Sequence, residues 1–179
     1  MQPFGLAVSV NGLIFIRGDD MRVLLFLAFL MMPFYSFGQS SVPGFILRDA
    51  GSIEAAADRL EAELGDKAMV FEIIGNHPGH SMYLVLRGKS GTSEIHLTES
   101  DYYIGVRGNA TFVIGGELVD GQELERKQVR GTDIKGGERS IVGPGDIVHV
   151  PVNTPHHLII NPVEPYMYLL IKLDEEPLN

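Results

Sequence analysis

From Met69 to Leu173 apolar and polar residues alternate in short bursts, each halted by Gly, Pro, Asn or Asp, the pattern of strands punctuated by turns. The alternation predicts strands at Met69–Ile74, Met82–Leu86, Ser93–Leu97, Asp101–Arg107, Ala110–Ile114, Glu117–Asp120, Arg139–Val142, Ile147–Val150, His157–Ile160 and Met167–Leu173. Gly115-Gly116 predicts a two-residue hairpin turn, because glycine supplies the positive backbone angles such turns require. Residues Gln122 to Glu138 are charged and Gly-containing and are expected to form a long hairpin or a surface loop. Upstream the period changes. Ile53, Ala56, Leu60 and Leu64 recur at helical spacing while Glu54, Asp58, Glu61 and Glu63 fall largely elsewhere, which predicts one amphipathic helix with Ser52 as its cap, Gly65 as its stop and a solvated acidic side. Strands do not alternate with helices along this stretch, so the expected fold is all-β and antiparallel, a sandwich or a barrel.

Before the helix lies a different kind of segment. Met21-Arg22 precedes the almost purely apolar run Val23 to Tyr35, and the small or polar residues Ser36-Phe37-Gly38-Gln39-Ser40 follow. This is the layout of a secretory signal peptide, cleaved near Gly38, with Met21 as a candidate true start. The apolar run is shorter than the ~20 residues of a comfortable membrane span. An N-terminal anchor remains the alternative; it requires residues 13 to 37 to insert together, carrying Arg17, Asp19 and Asp20 with them at considerable cost. The domain plan is therefore residues 1–38 as extension and signal, 39–68 as linker and helix, and 69–179 as barrel. The expected product is exported, periplasmic or secreted, without stable membrane insertion of the mature chain.

Composition narrows the chemistry. The 179 residues fit one domain, and 21 Gly with 10 Pro suit a turn-rich globular fold. There is no cysteine, so disulfides, thiolate nucleophiles and cysteine-ligated metals are excluded, and a metal site must use His, carboxylates or water. A net charge of -9 argues against nucleic acid and anionic membrane surfaces and leaves a small molecule or another protein as partner.

On an extended strand Glu94 and His96 share one face while Ile95 and Leu97 share the other. A wet polar face produces the same alternation, so the pair gains weight only with the second histidine-bearing stretch, Gly145 through His156. His149 alternates with Val148 and Val150 and is expected on the face opposite to them; His157 should face away from His156. His77 and His80 read as a surface turn. Tyr83, Arg87, Tyr102 and Tyr103 are candidates either for a pocket lining or for packing. Gly88-Lys89-Ser90 lacks the upstream glycine of a phosphate-binding loop, since Tyr83 stands there.

Two spacings resemble the motifs of the cupin superfamily. Glu94-x-His96-x4-Asp101-x6-Gly108 is similar to the first motif, with Glu94 in place of a histidine and Asp101 in place of a glutamate. Gly145 through Pro151 to His156 is similar to the second, with Asn153 at the usual glycine of the turn and Asn161 one residue beyond the usual asparagine. The resemblance covers roughly residues 70 to 173 and implies a double-stranded β-helix, or jelly-roll barrel, preceded by a short N-terminal helix. It also implies a metal site of Glu94, His96, Asp101 and His156, with Glu99 as a fallback whose spacing is too short for the motif. These donors are compatible with one divalent ion such as Fe, Mn, Zn or Ni. The fold hosts many activities. The expectations are a metal-dependent enzyme of oxygenase, isomerase or lyase type acting on a small organic molecule, or a non-catalytic binding module, with the apolar face carrying Ile95 and Leu97 covered by a second subunit of a homodimer.

Overall fold

The computed structural model describes residues 42–176; the signal-peptide reading falls on residues outside that range. Helix α1 (Ala50–Leu64) comes first. Its cap is Asp49, not Ser52: the Asp49 carboxylate accepts from the Ser52 backbone N–H at 2.7 Å, and the Ser52 hydroxyl donates back to the Asp49 carbonyl at 2.8 Å. A carboxylate at this position satisfies an orphan N–H of the first turn, so the helix starts earlier than the serine suggested. It ends at Gly65, whose φ of 46° favours glycine.

The strands are β1 (Met69–His77), β2 (His80–Arg87), β3 (Ser93–His96), β4 (Glu99–Arg107), β5 (Ala110–Ile114), β6 (Glu117–Val119), β7 (Gln122–Leu124), β8 (Gln128–Gly131), β9 (Asp133–Lys135), β10 (Glu138–Val142), β11 (Ile147–Val150), β12 (His156–Ile160) and β13 (Tyr166–Asp174). A five-stranded sheet runs β1-β2-β13-β4-β11 and a six-stranded sheet runs β10-β5-β12-β3-β8-β7, with antiparallel pairing throughout. Two such sheets enclosing one interior make a jelly-roll barrel. Among the described residues no helix is long and apolar enough to cross a membrane.

Alternation along the strands sorts side chains into two cores. Outward residues of the five-stranded sheet, Val70, Leu84, Leu86 and Met167, pack with Ala56, Ala57, Leu60 and Leu64 of α1. Inward residues, including Val85, Tyr103, Phe112, Leu158, Tyr166 and Tyr168, fill one end of the barrel. The acidic side of α1 is not simply solvated. Arg107, at the end of β4, pairs with Glu54, with Asp58 at 2.9 Å and with Glu61 at 3.0 Å, clasping successive turns of the helix.

Gly115-Gly116 has the positive φ values expected, 75° and 77°, but does not close a hairpin. β5 pairs with β10 and β12, while β6 pairs with β9. Gly136-Gly137, also at positive φ, lies across from it on the partner strand. A Cβ on Gly116 would meet the Lys135 carbonyl oxygen at 2.6 Å and the Gly137 nitrogen at 2.8 Å. The two glycine pairs therefore form a corner at which a long two-stranded ribbon leaves the sheet. The stretch read as one hairpin or loop from Gln122 to Glu138 holds β7, a 3-10 turn (Glu125–Lys127), β8 and β9.

Leu60 is only 4% exposed, so Leu60→Ala should cost about 3 kcal/mol, the usual loss for a buried leucine. Urea denaturation followed by circular dichroism measures it; an unchanged midpoint would show that α1 is not part of the cooperative unit.

Candidate metal centre

The site is built from rows of strand neighbours. In the six-stranded sheet Glu94 of β3 lies directly opposite Arg130 of β8 on one side and His156 of β12 on the other. Residues so opposed present their side chains to the same face, which puts a guanidinium, a carboxylate and an imidazole side by side within the barrel. In the five-stranded sheet Lys172 of β13 lies opposite Asp101 of β4. His96, two residues along from Glu94, closes the space between the sheets, its Nε2 3.3 Å from Asp101 Oδ2. The turn before β12 is fixed by Asn153, whose φ of 59° takes the place of a glycine and whose N–H donates to the His96 carbonyl at 2.8 Å.

Glu94, His96 and His156 offer ligand atoms that all lie within 4.8 Å of one another. His156 Nε2 is 3.6 Å from Glu94 Oε1, and His96 Nε2 is 3.9 Å from the same oxygen. His156 Nδ1 donates to the Thr154 carbonyl at 3.0 Å, which places a proton on Nδ1, so that in the neutral ring Nε2 carries the lone pair. That Nε2 is buried with no hydrogen-bond partner, a costly state that a bound cation would relieve. The donor set therefore fits a divalent ion.

Asp101 is spoken for. Lys172 Nζ donates to both of its oxygens, at 2.7 and 3.0 Å, and lies 3.2 Å from Glu99 and 3.2 Å from His96 Nε2. Burial pushes the Asp101 carboxyl up, but His96 and Lys172 together outweigh it and hold it below the ordinary range. Burial likewise raises Glu94, and the neighbouring His156, His96 and Arg130 overcome this and bring it to about 2. For Lys172 desolvation is outweighed by Asp101 and Glu99, so its ammonium is held above the ordinary range. Burial, then Asp101, raises the Tyr103 phenol well above the usual value, so it stands neutral beside Asp101 Oδ2 at 3.3 Å.

Glu94, His96, Asp101 and Tyr103 line a cavity of about 240 Å³, with Phe71, Tyr83, Val85 and Leu170 as its apolar wall and Arg87, Arg130 and Lys172 as its cations. Tyr83, Arg87 and Tyr103 thus belong to the lining, whereas Tyr102 stacks on His149 with ring centroids 4.5 Å apart. His149 is exposed, on the face opposite to Val150. His157 turns from the site and meets the Gly91 carbonyl at 3.0 Å; His77 and His80 stack on each other in their turn. Sequence reading missed Lys172 and Arg130. Lys172 left a trace as the charged residue within the apolar run Met167 to Leu173; Arg130 sat in a stretch with no readable strand pattern.

No protein-family model matches the sequence, and no curated protein is significantly similar to it. Solved structures are similar in fold. TT1209 from Thermus thermophilus is 15% identical, with a TM-score of 0.50 over 73% of this chain and 98% of its own. A cupin superfamily protein from Desulfitobacterium hafniense is 13% identical, with a TM-score of 0.43 over 59% of this chain and 77% of its own. The Streptomyces protein PAC13, described as a nucleoside dehydratase and solved with uridine, is 16% identical, with a TM-score of 0.42 over 60% of this chain and 69% of its own.

Asp101 is 1% exposed, so Lys172→Met should cost roughly 3–5 kcal/mol, as for any buried pair that loses one partner. Adding Asp101→Asn should restore most of that; a denaturant series in which the double variant is no better than the single would refute the pairing. Glu94 supplies a second test in chelator-treated protein. Its depressed pKa means that its contribution is complete above the ordinary value of 4.5 and is lost as pH falls toward about 2. Melting curves of wild type and Glu94→Gln should therefore be separated at neutral pH and converge near pH 2. A constant separation would contradict the assigned pKa.

Proposed function

We propose that this chain, a small barrel of the cupin fold, holds one divalent metal ion on Glu94, His96 and His156 and acts as a metal-dependent enzyme on a small organic molecule. The observation that carries this reading is the buried, unpartnered Nε2 lone pair of His156 beside an ionised carboxylate. Two imidazoles and one carboxylate suit Fe(II), Mn(II), Zn(II) or Ni(II). When bound, such an ion supplies a Lewis acid or a redox centre. Asp101, held by Lys172, lies 3.3 Å from His96 Nε2 and adds negative charge near the ion. Lys172 is the proton-bearing group beside His96. The cavity is below the roughly 300–1,000 Å³ of pockets that take drug-sized ligands, which favours a small substrate.

The alternative is a module that captures a small molecule without turnover. It is favoured by the ion pairs that engage both Lys172 and Arg130, leaving neither free as a general base. The reading extends to an exported protein, on the strength of the apolar run Val23 to Tyr35. It extends also to a homodimer, supported by the place of β1 at the edge of its sheet and by its exposed Ile73.

Elemental analysis of the purified protein tests the metal site. About one ion per chain is expected, lost in His96→Ala and His156→Ala while circular dichroism stays unchanged. Loading should fall on acidification, because protons compete with the ion for its ligands. Full occupancy well below pH 5 would refute the two-histidine site, and a wild type that cannot be loaded would favour the capture module.

A further inference from the structure

Three cations face the cavity, and the carboxylates around them account for only two. Lys172 is matched by Asp101 and Glu99, and Arg130 by Glu94 at 3.0 Å. Arg87 has no carboxylate partner among the described residues. Its Nε donates to the Tyr168 hydroxyl at 3.0 Å, which fixes the guanidinium plane and leaves the two terminal amino groups without a protein acceptor. The guanidinium lies against Gly91, where a Cβ would come within 2.7 Å of Nη1. The missing side chain thus makes the room in which the group sits. Arg87 lines the cavity and, with Glu94, Tyr103 and His156, also a space of about 10 Å³ beside it, so an anion on it lies next to the candidate metal centre.

A half-buried cation that keeps two parallel N–H donors free is matched best by a planar carboxylate, which takes both in one bidentate contact. The rest of the wall is apolar and aromatic: Phe71 and Tyr83 meet edge to face with centroids 6.0 Å apart, and Leu170 lies nearby. Resting on the small-molecule reading of the cavity, we propose that Arg87 anchors the carboxylate of the molecule that enters it, so that the ligand of this barrel is a small organic carboxylate with an apolar or aromatic body. Its charged end sits on Arg87 and its body against Phe71 and Tyr83.

Benzoate is a probe of that shape, and benzyl alcohol has the same body without the charge. Calorimetric titration of the full chain, stripped of metal by chelator, should show benzoate binding more tightly than benzyl alcohol. Arg87→Gln should weaken benzoate by about 10- to 100-fold, the loss for a charge-assisted hydrogen-bonded contact, and leave benzyl alcohol unmoved. Gly91→Ala, which adds no charge and only crowds the guanidinium, should weaken benzoate in the same direction. If Arg87→Gln does not fold, modification of the wild type by an arginine-specific reagent replaces it: benzoate, and not benzyl alcohol, should shield Arg87 in the peptide mass spectrum. Equal benzoate affinity in wild type and Arg87→Gln, or no shielding of Arg87, would overturn the proposal. Metal loading, measured on the same preparations before stripping, keeps the two readings apart. Benzoate binding that needs Arg87 in a protein that takes no metal supports the anchor and sinks the metal reading. Metal loading with benzoate indifferent to Arg87 does the opposite.

Discussion

A carboxylate inside a barrel stays ionised only when cations offset the water it has lost, and two such carboxylates dictate how the interior of this protein is arranged. Glu94 and Asp101 both sit where desolvation favours the neutral form, and both are nevertheless held below the ordinary carboxylate range. Each is answered by a strand neighbour: Arg130 beside Glu94 and Lys172 beside Asp101. The histidines come into place through the same rows, His156 as the other neighbour of Glu94 and His96 as the link to Asp101. Sheet pairing, rather than a specialised loop, is what assembles the site.

The barrel is divided along its length. On β13 the inward series runs Tyr166, Tyr168, Leu170, Lys172, from a packed aromatic floor to a charged cavity. Tyr103 and Tyr168 stand at the boundary; the Tyr168 hydroxyl receives Arg87 and that of Tyr103 reaches Asp101. On the outside of the same sheet α1 seals the opposite face. The strand that carries Lys172 is thus packed on both sides at its Met167 end, a rigid footing for the constellation farther along it.

Much of this was legible because it is local. Period-two alternation located most strands, and the pairing of Glu94 with His96 on one face follows from strand geometry alone. Asn153 shows how a departure from a motif can be absorbed: asparagine tolerates the left-handed backbone angle that the turn demands. What stayed hidden depends on partners distant in sequence. Gly115-Gly116 announced positive φ correctly, but only its neighbour Gly136-Gly137 turns those angles into a ribbon corner instead of a hairpin. Arg107 clasps α1 across some fifty positions. The commitment of Asp101 to Lys172 likewise depends on a pairing between β4 and β13 that no spacing within the first motif encodes.

The opposition of Lys172 and Asp101 also bears on how the chain reaches its fold. Side chains on a strand alternate with a period of two, so a slip of one residue between β13 and β4 turns one of these charges outward and strands the other inside. The same slip carries the row of tyrosines from the floor to the face that α1 covers, where Met167 is packed. Misaligned barrels are thereby penalised twice, once in charge and once in apolar packing, and the chain checks its own alignment during assembly with the residues that line its cavity. Incorrectly registered molecules would not persist as folded but inert copies; they would be cleared as unstable ones.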